Sequence, residues 1–188
     1  MNVYDFDNTI YDGESSVDFF LFCIKRDKKL WSLLPVMGVK LIKYKMCLIT
    51  IDELKRCAEK YAWRFIESVN DVEGFVKEFW ELKAHKIKDY YIKQKRDDDV
   101  VISASCSFLL NDICERLGIK KCVCSEIDIK TGKFKQICFR SNKVDLFYEN
   151  FPDGVIDNFY TDSMNDRPLI EISKNAYLVK GHKLKKIK

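Results

Sequence analysis

The chain has 188 residues, of which 47% are apolar and 33% charged, and its formal net charge is +4. That length and composition suit one soluble globular domain, alone or with a small insertion, and exclude a disordered or fibrous chain. The charge is too small to imply nucleic acid, and none is expected as a partner, although it allows a mild preference for anionic ligands. Of eight cysteines only Cys122 and Cys124 lie close together, and His85 and His182 stand alone, so no structural zinc site is expected. Asp5 and Asp7 fall where a signal peptide needs its apolar core, which predicts a cytoplasmic protein with reduced thiols.

In chain order, Asn2 to Phe6 reads as a short strand. Ser15 and Asp18 form a capping-box pattern ahead of Val17, Phe20, Leu21 and Ile24 at helical spacing. Thr50 with Glu53 repeats it before Leu54, Cys57, Ala58 and Tyr61. Asn70 with Glu73 repeats it before Phe75, Val76, Phe79 and Trp80. Residues 15–96 are thus predicted helical and strand-poor. Within them, Leu30 to Ile51 is the most apolar stretch. Pro35, Gly38, Lys40, Lys43 and Lys45 interrupt it, so it lacks the roughly 18 continuous apolar residues of a membrane span.

Strand character returns at Val100 to Ile102, ending at Ser103. A helix through Leu109, Leu110, Ile113, Cys114 and Leu117 is stopped by Gly118. Lys121 to Ser125 reads as a strand, and Thr131-Gly132 as the turn of a hairpin. Val144 to Tyr148 reads as a helix, Val155 to Tyr160 as a strand, Met164 to Ile172 as a helix and Ala176 to Val179 as a strand. Lys180 to Lys188 reads as a solvated tail. Strands alternating with helices predict an α/β fold with a Rossmann-like parallel sheet. Its core would comprise residues 1–14 and 97–188, and residues 15–96 would form a helical cap insertion.

Open parallel sheets bind ligands at the carboxyl ends of their strands. Asp5, Asp7 and Thr9 follow the first strand, Ser103 ends the second, Lys143 opens a later helix, and Asp162 and Asp166 follow the strand ending at Tyr160. Hard carboxylate and carbonyl oxygens suit magnesium. A lysine, hydroxyls and backbone amides suit a phosphate. An anion held in line with phosphorus, its repulsion offset by metal and lysine, suits nucleophilic attack, and Asp5 meets that requirement.

Four short motifs stand in a recognisable order: Asp5-Phe6-Asp7-Asn8-Thr9, the serine ending Val100-Val101-Ile102-Ser103, Lys143 in Ser141-Asn142-Lys143-Val144, and Asp162-Ser163-Met164-Asn165-Asp166. The chain resembles the haloacid dehalogenase (HAD) superfamily of phosphohydrolases over nearly its whole length. The resemblance implies a Mg2+-dependent phosphatase acting through an aspartyl-phosphate. Asp5 matches the nucleophile and a metal ligand. Asp7 matches the general acid and base, and binds metal through its main-chain carbonyl. Thr9 and Ser103 match phosphate-binding hydroxyls, and Lys143 the clamp on phosphate and nucleophile. Asp162 matches a metal ligand, and Asp166 the supporting acid on the metal side.

A cap after the first motif resembles the phosphoserine-phosphatase-like branch, where Glu14 occupies the place of an acidic substrate contact. That branch also needs a cap arginine for the substrate carboxylate, for which Arg56 and Arg64 are available. A small phosphorylated metabolite is the expected substrate. Three alternatives stay open: a lipid phosphate such as phosphatidylglycerophosphate, with Leu30 to Ile51 lying on the membrane surface; a phosphotransferase; or a non-catalytic protein that binds a phosphate ligand. Trp31, Trp63 and Trp80 are expected in the cap core or lining a substrate pocket, and Cys106 in packing beneath the helix.

Overall fold

The computed structural model describes residues 1–26, 56, 59 and 71–188. Asn2–Tyr4 form β1, all three residues buried. Side-chain alternation sends Val3 into one core and Tyr4 into the core on the opposite face. The strand ends two residues before Phe6. The Phe6 carbonyl instead accepts the amides of Ile10 and Tyr11, at 2.8 and 3.0 Å, and closes a tight loop. Asn8 sits in that loop at φ 55°, a left-handed conformation asparagine tolerates better than most residues.

β1 pairs in parallel with β2 (Val100–Cys106) on one side and β5 (Asn158–Thr161) on the other. β2 pairs in parallel with β3 (Lys121–Ile127), and β5 with β6 (Asn175–Lys180). Antiparallel β4 (Phe134–Gln136) and β7 (Lys183–Lys186) form the edges, giving the order β4-β3-β2-β1-β5-β6-β7. The α/β parallel-sheet class read from the sequence is what the chain adopts. Strand order reverses at β1, so its carboxyl end opens into the crevice where such sheets bind ligands.

One face of the sheet is covered by α1 (Ser15–Arg26), α2 (Val72–Lys83), α3 (Asp89–Gln94) and α4 (Ser107–Leu117). The other is covered by α5 (Asn142–Asn150) and α6 (Arg167–Ile172). The chain leaves and re-enters the sheet layer at adjacent points. The Asp12 amide donates to the Lys86 carbonyl at 2.9 Å, and the Lys88 amide donates to that of Ile10 at 2.8 Å. Tyr11 and Lys86 both hydrogen-bond Asp18 Oδ2, at 2.7 and 2.6 Å. Asp18 thus latches α1 to both crossings rather than completing a capping box. Trp80 is fully buried and donates to the Leu109 carbonyl at 2.6 Å, so α2 packs into the core beneath α4.

Three expectations need correction. The cap of α2 is Asp71, whose carboxylate accepts the Gly74 amide at 2.8 Å, and not Asn70, which lies outside the described residues. β2 continues past Ser103 to Cys106 through a register irregularity against β3. The basic terminus is not a free tail. Its backbone adds β7 to the edge of β6, and Lys188 Nζ donates to the carbonyls of Ile170, Glu171 and Ser173, at 3.2, 2.7 and 2.6 Å. A cation there satisfies the open carbonyl end of α6. The expected Gly118 stop holds: Gly118 is left-handed at φ 71°. The hairpin across Thr131-Gly132 also holds.

The Leu30 to Ile51 stretch, the helix expected after Thr50, Arg64, Trp31 and Trp63 lie outside the described residues. Among the described residues no helix is long and apolar enough to cross a membrane.

Candidate active site

The carboxyl ends of β1 and β5 and the first turn of α5 converge on one buried cation. Lys143 is 3% exposed, and its Nζ lies 2.9 Å from Asp5 Oδ1 and 2.9 Å from Asp166 Oδ1. Thr161, the last residue of β5, donates its hydroxyl to Asp166 Oδ2 at 2.8 Å. Both oxygens of Asp166 are therefore occupied, and the residue orients Lys143. Burial alone would lower the Lys143 pKa, but the two carboxylates more than offset it, and Lys143 stays cationic. Burial pushes Asp5 up to about 8 against the opposing pull of Lys143. With Asp5 ionised, one ammonium between two carboxylates leaves a net negative charge, so a further cation beside Asp5 would favour that ionised form.

Asp7 is held quite differently. Its Oδ1 accepts the amide of Ser15, the first residue of α1, at 2.6 Å, and its Oδ2 accepts the Ser105 hydroxyl at 2.6 Å. Burial raises its pKa and these neutral donors only partly oppose that. Asp162 follows β5, and its pKa is raised by burial and by neighbouring Asp166. Ser103 is buried, and its hydroxyl accepts the Ser105 amide at 3.1 Å. Thr9 is fully buried, and its hydroxyl has no hydrogen-bond partner among the described residues. Glu14 accepts from Asn8 Nδ2 at 3.0 Å beside the first loop. Arg56 is exposed.

A family model for haloacid dehalogenase-like hydrolases matches residues 3–171. The chain belongs to this family. Comparison with curated protein sequences finds no match. Among solved structures, a protein of unknown function from Bordetella pertussis Tohama I is similar at 18% identity and TM-score 0.78, over 94% of this chain and 87% of that one. A phosphoserine phosphohydrolase-like protein from Francisella tularensis subsp. tularensis SCHU S4 is similar at 16% identity and TM-score 0.58, over 94% and 86%. A phospho-aspartyl intermediate analogue of phosphoserine phosphatase is similar at 15% identity and TM-score 0.50, over 93% and 83%. At these identities the likeness is one of fold.

Within this HAD-like site, sequence reading missed Ser105, the Ser15 amide, Thr161 and Lys88. Lys88 is 2% exposed, and its ammonium donates to the carbonyls of Asn8 and Gly181, tying the first-motif loop to the β6–β7 turn. Burial lowers its pKa, with Asp12 and Asp162 opposing. Ser105 had one legible signal: it stands two residues after Ser103, at the end of the same strand. Nothing in the sequence marks Lys88 among the other lysines.

Proposed function

We propose that the chain is a magnesium-dependent phosphomonoesterase that works through an aspartyl-phosphate on Asp5 and acts on a small phosphorylated metabolite. The observation that carries this reading is the unequal treatment of two neighbouring carboxylates. Burial raises the pKa of both, but Asp5 contacts the Lys143 cation, whose charge opposes that rise and favours the ionised, nucleophilic form. Asp7 is held by neutral donors in a buried place that favours its protonated form. Pairs of acids whose environments differ in this way divide into nucleophile and general acid.

The donor chemistry fits magnesium. Asp5 and Asp162 would supply carboxylates and Asp7 its main-chain carbonyl. The Asp7 and Asp166 carboxylates are engaged elsewhere. Among the described residues no three Asp, Glu, His or Cys side chains gather at one point. Magnesium does not need that, because it keeps several waters and takes one or two carboxylates. When bound, the ion would offset phosphate charge and lower the proton affinity of Asp5.

The chain's own residues then account for the cycle. An Asp5 oxygen attacks phosphorus, and the bond from phosphorus to the leaving oxygen breaks. Asp7 gives that oxygen a proton, and the alcohol departs. Asp7, now ionised, takes a proton from water as the water oxygen attacks phosphorus. The bond to Asp5 breaks and inorganic phosphate leaves. Lys143 stays charged throughout and holds Asp5 against the incoming anion.

The reading is tested by phosphate release from phosphoserine, sugar phosphates, nucleotides and phosphatidylglycerophosphate, with and without magnesium. Release that requires magnesium is the expected result, and release unaffected by chelation would overturn the metal assignment. A separate expectation concerns Asp7→Asn. Turnover of alkyl phosphates should fall by about 10²–10⁴-fold, the usual worth of a general acid. Formation of the phospho-enzyme from 4-nitrophenyl phosphate should fall much less, because nitrophenolate leaves without a proton. Single-turnover rates across leaving groups check this, and equal losses would remove Asp7 from the role.

A further inference from the structure

The geometry points to Ser105 as a positioning residue that fixes the acid-base carboxylate of Asp7 and couples it to the entry of helix α1. This deepens the phosphatase reading above and rests on it.

The Ser105 hydroxyl and the Ser15 hydroxyl and amide converge on Asp7, and the Ser16 hydroxyl joins them through Ser105. Ser105 Oγ lies 2.6 Å from Asp7 Oδ2, 2.9 Å from Ser16 Oγ and 3.1 Å from Ser15 Oγ. A hydroxyl has one proton to donate and two lone pairs to accept with. While Asp7 is ionised its carboxylate only accepts, and in that state the Ser105 proton points at Asp7 Oδ2. Ser15 and Ser16 both lie within hydrogen-bond reach of the same Ser105 hydroxyl, and the Ser15 hydroxyl also bonds Asp7. The Ser105 amide donates to the Ser103 hydroxyl at 3.1 Å, which fixes the backbone that carries the clamp. On its other oxygen, Asp7 accepts the Ser15 amide at 2.6 Å. Ser15 and Ser105 are both buried, so water does not compete for these bonds.

The arrangement has two consequences. Ser105 holds Asp7 Oδ2 and the Ser15 amide holds Oδ1, so the carboxylate is fixed in orientation for the proton in transit. The carboxylate is also gripped from two elements at once, the end of β2 and the first turn of α1. Residues 15–96 begin at that turn, so any displacement of α1 from the sheet breaks the grip on the acid. Phosphoryl transfer and α1 docking are thereby linked through one hydroxyl.

Ser105→Ala removes a hydroxyl and adds no bulk, so the folded protein is testable. Expected is a loss of about 10–100-fold in single-turnover phosphoryl transfer from an alkyl phosphate, the size of one hydrogen bond to a charged group. KM should change less than about threefold, and transfer from 4-nitrophenyl phosphate should be nearly unaffected, since that step asks little of the acid. Ser105→Thr, which restores the hydroxyl, should recover most of the alkyl rate. Equal loss on both leaving groups, no loss on either, or a Thr variant that melts like wild type yet is as slow as Ala overturns the assignment of Ser105 alone. Wild type that forms no Asp5-dependent phospho-enzyme overturns the phosphatase reading and this role with it.

Discussion

Asp5→Asn is expected to reduce phosphate release by at least about 10³-fold, because the amide can neither attack phosphorus nor carry the phosphoryl group. The change preserves the shape of the side chain, and the amide oxygen of the variant can still accept from Lys143. Its effect on stability should depend on pH in a defined sense. Burial raises Asp5 to about 8 in the folded protein, above its ordinary carboxylate value. The folded state therefore holds a proton that the unfolded state has already released. Wild type should lose stability as pH rises from about 4 towards 8, wherever the native state binds more protons. Asp5→Asn has no such proton to lose. In chelator, the melting temperature of the variant minus that of wild type should grow across this window and level off above about pH 8. Thermal melts from about pH 5 to about pH 9 measure it. Magnesium should then raise the wild-type melting temperature and leave the variant nearly unchanged. A variant that gains as much from magnesium as wild type does would show that the ion binds without Asp5.

The parts of the site legible in the sequence are those in which residue type and strand position coincide. Asp5 and Asp162 each follow a run of strand-forming residues, and Lys143 opens a helix. The fold then had only one place to bring them, the carboxyl ends of β1 and β5. The sheet itself was legible because Val100 to Ile102, Lys121 to Ser125 and Val155 to Tyr160 carry strand-forming residues between turn residues, although β5 begins only at Asn158. What escaped was contact between segments distant in sequence. Ser105 meets Asp7 across 98 positions, and Lys88 meets Asn8 across 80. No local pattern encodes either pairing. The terminal strand escaped for another reason. Lys183 to Lys186 has the composition of a solvated segment, and what folds it is backbone pairing to β6, with lysines suited to an exposed edge. Thr9 was legible as a hydroxyl near the nucleophile, but not its full burial or the bond its carbonyl accepts from the Tyr90 hydroxyl at 2.8 Å, 81 positions away.

Lys143→Met should do the greatest structural damage of any substitution at the site. The methionine is close to the lysine stem in length and removes the charge. Asp5 and Asp166 would then face each other, buried, without the cation that both contact at 2.9 Å. Breaking a buried ion pair by deleting one partner costs about 3–5 kcal/mol. The carboxylates have an escape, since a buried acid without a partner takes up a proton instead of bearing the full cost. The loss should therefore be large near about pH 8, where protonation is expensive, and shrink towards about pH 5, where it is not. This is the opposite of a packing defect, whose cost would not track pH in this range. Denaturant unfolding at both pH values separates the two causes. Double substitution supplies the stricter check. Near about pH 9, where Asp5 is ionised, Lys143→Met with Asp5→Asn removes one of the two stranded charges, so it should recover more stability than Asp5→Asn adds to wild type, while remaining inactive. If the double variant is no more stable than Lys143→Met, the charge on Asp5 is not what Lys143 balances, and the cation serves Asp166 alone.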